Sequence, residues 1–218
     1  ERPIVFGNND TPGVMLSSAA KEYLKVYGVL VGRNPLIFTN NDSGYETAIE
    51  FKKNGVEPII LDTRKNPQSE IVDEAKNLGL NIRFSHVVVA AQGYKKVKSA
   101  DVAKISDDKE QLGTIENIKC DCICVSGFWT PTIHLASQSG NKTKFNEDID
   151  AFIPGTSKQN EKTLGAANGV YTLDETLKSS IETGYEVSKQ ITNNNNKVSF
   201  PNVVEKKSTV HDKFWCVP

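Results

Sequence analysis

Between Pro35 and Phe84, short apolar runs alternate with stretches of helical periodicity. In order these are Pro35 to Phe38, Ser43 to Lys53, Glu57 to Leu61, Gln68 to Leu78 and Leu80 to Phe84. The runs are too short for helices, and the stretches between them repeat apolar residues at three- and four-residue spacing, so the pattern reads strand, helix, strand, helix, strand. Strands joined through helices pair in parallel by right-handed crossovers. This part of the chain is therefore expected to form an α/β unit around a parallel sheet, the setting of Rossmann-like dinucleotide folds.

On the N-terminal side, Val14 to Tyr27 carries Leu16, Ala19, Ala20, Tyr23, Leu24 and Tyr27 at helical spacing and ends at Gly28, the residue that most readily takes a left-handed C-cap. Ahead of it, the apolar Pro3-Ile4-Val5-Phe6 follows an N-terminus without Met, which suggests a piece of a longer polypeptide. From His86 the pattern changes. His86 to Ala91, Lys95 to Ile105 and Gly113 to Val125 are rich in β-branched residues and are separated by Gly93 and by the acidic turn Asp107-Asp108, as in a β-meander. Gly127 to Pro131 reads as a turn, Thr132 to Gln138 as a short helix, and Ala151 to Ile153 and Thr163 to Ala166 as short strands. Thr172 to Thr192 is the longest helical pattern, ended by the asparagine run 193–196. The polar tail beyond closes on Phe214-Trp215-Cys216-Val217-Pro218, whose apolar character implies that it docks on something.

Charge narrows the function. With 26 Lys plus Arg against 27 Asp plus Glu, the net charge is -1, which argues against affinity built on phosphate neutralisation along nucleic acid. No apolar run approaches the roughly 20 residues that span a bilayer, so no membrane partner is expected and the chain is read as cytoplasmic. Arg occurs only at 2, 33, 64 and 83, Lys supplying the remaining positive charge. Cys120, Cys122 and Cys124 alternate and would share one face of a strand, either as small buried hydrophobes or as thiolates for a metal. The fourth cysteine, Cys216, is remote and no His is close, so no metal site is assigned. His86, His134 and His211 stand in unrelated contexts, and no G-x-S-x-G, H-E-x-x-H, Walker A or paired-carboxylate pattern occurs. No catalytic residue is assigned.

Two turns have the character of ligand sites. The first follows the strand at Phe38: Thr39-Asn40-Asn41-Asp42-Ser43-Gly44. With Gly44 aligned on the last glycine of G-x-G-x-x-G, the first two glycine positions are Thr39 and Asn41. Asp62 closes the next strand, where an acid accepts hydrogen bonds from ribose hydroxyls in nucleotide folds, though an acid at a strand end also occurs without any ligand. Asp42 places a carboxylate where phosphate would lie. The second turn is Gly165-Ala166-Ala167-Asn168-Gly169, small residues before the long helix. It reads either as backbone open to a ligand or as a tight joint.

Four segments, taken in order, resemble a known family. Glu1 to Met15, Phe38-Thr-Asn-Asn-Asp-Ser43, Val125-Ser-Gly-Phe-Trp-Thr-Pro131 and Gly165-Ala-Ala-Asn-Gly169 are similar to the alpha subunits of heterotetrameric sarcosine oxidase, flavoprotein relatives with one dinucleotide domain inserted in another. The resemblance implies an FAD/NAD(P)-binding fold with residues 1–33 and 113–192 in an outer domain, 34–112 in an inserted NAD(P)-binding-like domain, and 193–218 as tail. It also implies missing N- and C-terminal parts of the same subunit, including the true glycine-rich turn and a folate-binding domain. Relatives that hold FAD end the last outer strand in Gly-Asp, whereas Gly165-Ala166-Ala167-Asn168 stands here, so the resemblance implies NAD in this subunit and flavins in a partner subunit. The activity implied is oxidation of sarcosine by a hetero-oligomeric oxidase, with this chain inactive alone. Two other expectations stand beside it: an assembly module without nucleotide, and the alpha subunit of a related opine or amino-acid dehydrogenase complex.

Overall fold

The computed structural model describes residues 1–192, 198–203 and 211–218, and the asparagine run 193–196 lies outside them. Two units divide the chain: Glu1–Trp129 with Lys207–Pro218, and Thr130–Lys206.

In the first unit, the alternation read from sequence becomes β1 (Val14–Leu16), α1 (Ser17–Tyr27), β2 (Pro35–Thr39), α2 (Ser43–Lys53), β3 (Ile59–Asp62), α3 (Glu70–Asn77) and β4 (Asn81–Phe84). Then come β5 (His86–Gln92), β6 (Ser99–Lys104), β7 (Glu116–Lys119) and β8 (Cys122–Ser126). A five-stranded sheet has the order β1-β8-β2-β3-β4 and every pairing in it is parallel. β5, β6 and β7 form the antiparallel meander. Gly28 ends α1 with φ 64, its N–H reaching the carbonyl of Leu24.

All five residues of β2 are buried because both faces of the parallel sheet are covered. Leu36 and Phe38 join Ile123 and Val125 against Val87, Val88, Ala100 and Val102 of the meander. Ile37 and Ile60 turn the other way, against Ala20 and Leu24 of α1, Tyr45, Ala48 and Phe51 of α2, and Val72 of α3. The period-2 alternation of a strand thus sorts neighbouring residues into two cores.

Several expectations are corrected. The helix expected from Val14 begins only at Ser17, because Val14–Leu16 pairs with β8 as an edge strand. Gly113 to Val125 is not one meander strand. Glu116–Lys119 stays in the meander, while Cys122–Ser126 sits between β1 and β2 in the parallel sheet. Asp121 makes the break, its carboxylate accepting the backbone N–H groups of Arg33 and Asn34 at 2.9 and 2.8 Å. Accordingly the three cysteines do not share a face. Cys122 and Cys124 lie on the helix side with sulfurs 3.6 Å apart, and Cys120, ahead of the strand, packs on the meander side. The sheet also overruns the 34–112 boundary expected for the inserted domain, since β1 and β8 come from outside it.

The second unit holds α4 (His134–Gln138), the antiparallel pair β9 (Thr143–Asn146) and β10 (Ala151–Pro154), a 3-10 turn at Gly165–Asn168, and α5 (Leu173–Thr192). Phe145 and Phe152 meet edge-to-face across the pair at 5.3 Å between centroids. The strand expected at Thr163 to Ala166 is absent: Gly165 takes φ 60, a left-handed conformation that ends extended structure.

Candidate functional site

Open α/β sheets bind ligands outside the carboxyl ends of their strands, where the strand order reverses. From β2 the chain continues to β3 and β4 on one side, whereas β8 and β1 lie on the other, so the switch point is the gap between Thr39 and Ser126. The structure brings four of the expected residues, Thr39, Asn41, Gly44 and Asp62, to this end of the sheet.

The gap is closed by the chain's own groups. Asn40 donates its backbone N–H to the Ser126 carbonyl at 3.2 Å, and the Asn41 amide donates to the Ser126 carbonyl and hydroxyl at 3.0 and 3.1 Å. The Ser43 hydroxyl meets Ser126 Oγ at 2.8 Å and donates to Asn41 Oδ1 at 2.6 Å. Thr39 folds back on the turn, its hydroxyl donating to the Asn41 carbonyl at 2.8 Å and accepting the Asn41 N–H at 3.2 Å. Donors that a pyrophosphate would need are thereby used inside the turn. A Cβ built on Gly44 would come within 2.6 Å of Thr39 Cβ, so this glycine makes room for a threonine rather than for a phosphate.

Asp62 is likewise committed. Fully buried, it accepts the Tyr45 hydroxyl at 2.6 Å, the Arg64 backbone N–H at 2.9 Å and the Arg64 guanidinium at 2.9 and 3.0 Å. Arg64 also donates to Asp42 at 2.8 Å, so one buried guanidinium bridges the two carboxylates. Burial pulls the Arg64 pKa down, but the hydrogen bonds and charge of Asp62, then of Asp42, outweigh it and hold the guanidinium above its ordinary value. Burial, reinforced by the Asp62 charge and hydrogen bond, pushes the Tyr45 phenol well above its usual range. Asp62 therefore offers no free lone pair toward solvent for a ribose, and Asp42 is a structural ion-pair partner. These residues do not fit a dinucleotide. Arg64, Tyr45, Asn40 and Ser126 were not singled out from sequence. The signal for Arg64 was there: in a chain that otherwise uses Lys, an Arg two residues after a strand-end Asp is suited to forked carboxylate binding.

Gly165, Ala166, Ala167 and Asn168 lie in the second unit. They form a 3-10 turn closed by Gly169 at φ 80, whose own Cβ would strike Ile149 at 2.7 Å. Ala166 is exposed, and Ala167 and Asn168 are half-buried. The start of α5 is already balanced. The Thr172 hydroxyl donates to Glu175 at 2.7 Å, and Asp174 and Glu175 both stand in the first turn, where carboxylates complement the helix dipole. The turn is closed by its own backbone, the Ala166 carbonyl accepting the Gly169 N–H at 3.2 Å and the Gly165 carbonyl the Val170 N–H at 3.1 Å. Among the described residues no group of three or more His, Cys, Asp or Glu is arranged to hold a metal.

No protein-family model matches the chain. It is 34% identical over 173 residues to the sarcosine oxidase alpha subunit of Corynebacterium sp. strain P-1, covering 78% of this chain and 18% of that one. It is 37% identical over 169 residues to the same subunit of Rhizobium meliloti strain 1021, covering 77% of this chain and 16% of that one. Among solved structures it is similar to L-proline dehydrogenase from P. horikoshii, with a TM-score of 0.52 at 18% identity over 85% of this chain and 32% of that one. Bacillithiol disulfide reductase from Staphylococcus aureus gives a TM-score of 0.52 at 14% identity, over 72% of this chain and 45% of that one. At such identities the likeness speaks for fold alone, the Rossmann-like α/β fold of FAD/NAD(P)-binding oxidoreductases. By sequence, the chain is similar to one segment of sarcosine oxidase alpha subunits and spans only 16–18% of the length of those relatives.

Proposed function

We propose that this chain serves as the scaffold segment of the alpha subunit of a sarcosine oxidase-like complex. In this reading the complex oxidises the N-methyl group of sarcosine, yields glycine, passes a one-carbon unit to tetrahydrofolate or releases it as formaldehyde, and forms hydrogen peroxide. Flavins and amine oxidation belong to a partner subunit of a cytoplasmic heterotetramer, and this chain contributes no catalytic group. The observation that carries the scaffold role is Asp62. The acceptor a ribose would need is buried and spent on Tyr45 and Arg64. A Rossmann-like unit whose switch point is sealed by its own side chains is a packing module, which holds other parts of a subunit in place.

A second reading is supported by the exposure of Ala166 in the small-residue turn ahead of α5. There NAD is held by Gly165, Ala166, Ala167 and Asn168 together with parts of the subunit beyond this chain. The resemblance favours NAD over FAD, because Asn168 stands where flavin relatives carry Asp.

Sarcosine-dependent peroxide formation tests the first reading. The expected result is no turnover by the isolated chain and turnover when it is part of a full-length subunit assembled with its partners. Turnover by the chain alone, without flavin or other subunits, would overturn it. For the second reading, the full-length subunit with Asn168→Trp is expected to lose NAD binding measured by calorimetry, and unchanged affinity would remove that assignment.

A further inference from the structure

Residues 211–218 return to the first unit and lie across the carboxyl ends of its strands. The contacts are main-chain in kind. Asp212 donates its N–H to the Asn40 carbonyl at 2.9 Å, and the Asn40 side-chain amide donates back to the carbonyls of Asp212 and Phe214 at 2.8 and 3.1 Å. Next to this, Val5 donates to the Trp215 carbonyl at 2.7 Å and accepts the Val217 N–H at 2.9 Å, as an added strand would.

Side chains are read as well. Asp212 accepts the Thr63 hydroxyl at 2.8 Å, just beyond β3, and is ion-paired with Lys109. Phe214 is buried in the same core cluster as Ile4, Phe6 and Phe38. The Arg2 guanidinium carbon lies 3.1 Å from the Trp215 ring centroid, and His211 stacks on Phe128 with centroids 3.9 Å apart and planes at 8°. Phe128, the second residue after β8, holds φ 74, a conformation that bulky residues take only when the surroundings impose it. The imposing contacts are Arg2 N–H to the Phe128 carbonyl and Gly127 N–H to the Arg2 carbonyl, both 2.8 Å. Gly127 is needed for that approach, since a Cβ there would lie 2.7 Å from the Arg2 carbonyl oxygen.

We propose that the crevice outside the carboxyl ends of β2, β3 and β8 is a peptide site, filled in cis by residues 211–217 in the place a dinucleotide would require. The inference deepens the scaffold reading, on which it rests: Asn40, Thr63 and Phe128 grip a peptide where a cofactor-binding relative of the fold grips phosphate and ribose. Three features set the specificity: an acid at 212 for Thr63 and Lys109, an aromatic at 214 for the core, and an aromatic at 215 for Arg2. A nucleotide entering there would meet the carboxylates of Asp42 and Asp212 and find the Asn40 donors taken.

Amide hydrogen exchange on the intact chain tests this, read by mass spectrometry with fragmentation to single residues. The amides of Asp212, Phe214 and Val217 are expected to be protected to the level of Ile37 and Phe38. Asn40→Ala, which removes two hydrogen bonds to the segment, is expected to speed exchange at Asp212 and Phe214 roughly tenfold more than at Ile60. Adding 1 mM NAD or FAD is expected to change neither. Random-coil exchange at 212, 214 and 217, with Thr39 to Gly44 still protected, would overturn the peptide site and leave the scaffold reading standing. Loss of protection at 212 to 217 with a gain at Thr39 to Gly44 on adding NAD would overturn both.

Discussion

Arg64→Leu is the sharpest perturbation of the sealed turn. The substitution keeps an apolar side chain of moderate size and removes the group that bridges Asp42 and Asp62, whose side chains are 10% and 0% exposed. Asp62 keeps the Tyr45 hydroxyl and the backbone N–H of residue 64, while Asp42 loses its guanidinium partner at 2.8 Å. Removing one partner from a buried ion pair costs about 3–5 kcal/mol, because the remaining charge stays desolvated. Against a total stability on the order of 5–15 kcal/mol, that is a large fraction. For a unit of this size, each kcal/mol moves the melting midpoint by about 3–5 °C, giving a fall of roughly 10–25 °C. Tryptophan fluorescence is the suitable probe, since both tryptophans, Trp129 and Trp215, belong to the first unit. A loss below about 1 kcal/mol would refute the argument that Arg64 neutralises a buried acidic pair.

Three further outcomes follow from the same geometry. Gly44→Ala drives a methyl into Thr39 and is expected to lower stability by about 1–3 kcal/mol, seen as a lower urea midpoint at unchanged slope; an unchanged midpoint would show that the turn yields freely. Of the four thiols, only Cys216 is exposed, while burial first and then the neighbouring Cys122 and Asp121 push the Cys120 thiol up to about 12. A disulfide-exchange reagent at pH 8 is thus expected to titrate one thiol rapidly in the native chain and four in denaturant, and fast reaction of a second native thiol would contradict the burial of β8. Gly127→Val places side-chain atoms against the backbone of Arg2 and Pro3 and is expected to cost more than Gly44→Ala, because backbone yields less readily than a threonine side chain; equal midpoints would contradict it.

Much of the first unit was legible from sequence because its strands and helices obey different periods. The buried run Pro35–Thr39 and the helix Ser43–Lys53 were readable from apolar spacing alone. Pairing was not readable. Cys122–Ser126 is as β-prone as the meander strands before it, and only the Asp121 carboxylate binding Arg33 and Asn34 reveals that the chain changes sheets there. Val14–Leu16 fits the helical pattern that follows it, and its strand character comes from a partner more than 100 residues away. At the candidate site, Thr39, Asn41 and Gly44 were recognised as a degenerate glycine fingerprint, but its meaning lay in Arg64, Asn40 and Ser126, which a motif does not contain. The apolar Phe214 and Trp215 correctly announced a docking segment, and its landing place, the end of β2, is set by tertiary hydrogen bonds to Asn40.

The central claim is that the Rossmann-like crevice of the first unit is closed to dinucleotides. Its most direct test is a fluorescence-detected thermal melt of the chain with and without millimolar NAD, NADP and FAD. A ligand at 100 times its dissociation constant would stabilise by about 2.7 kcal/mol, an easily measured shift. The account predicts no shift of the tryptophan-detected transition with any of the three, and a shift with NAD that disappears in Asp62→Asn would contradict it.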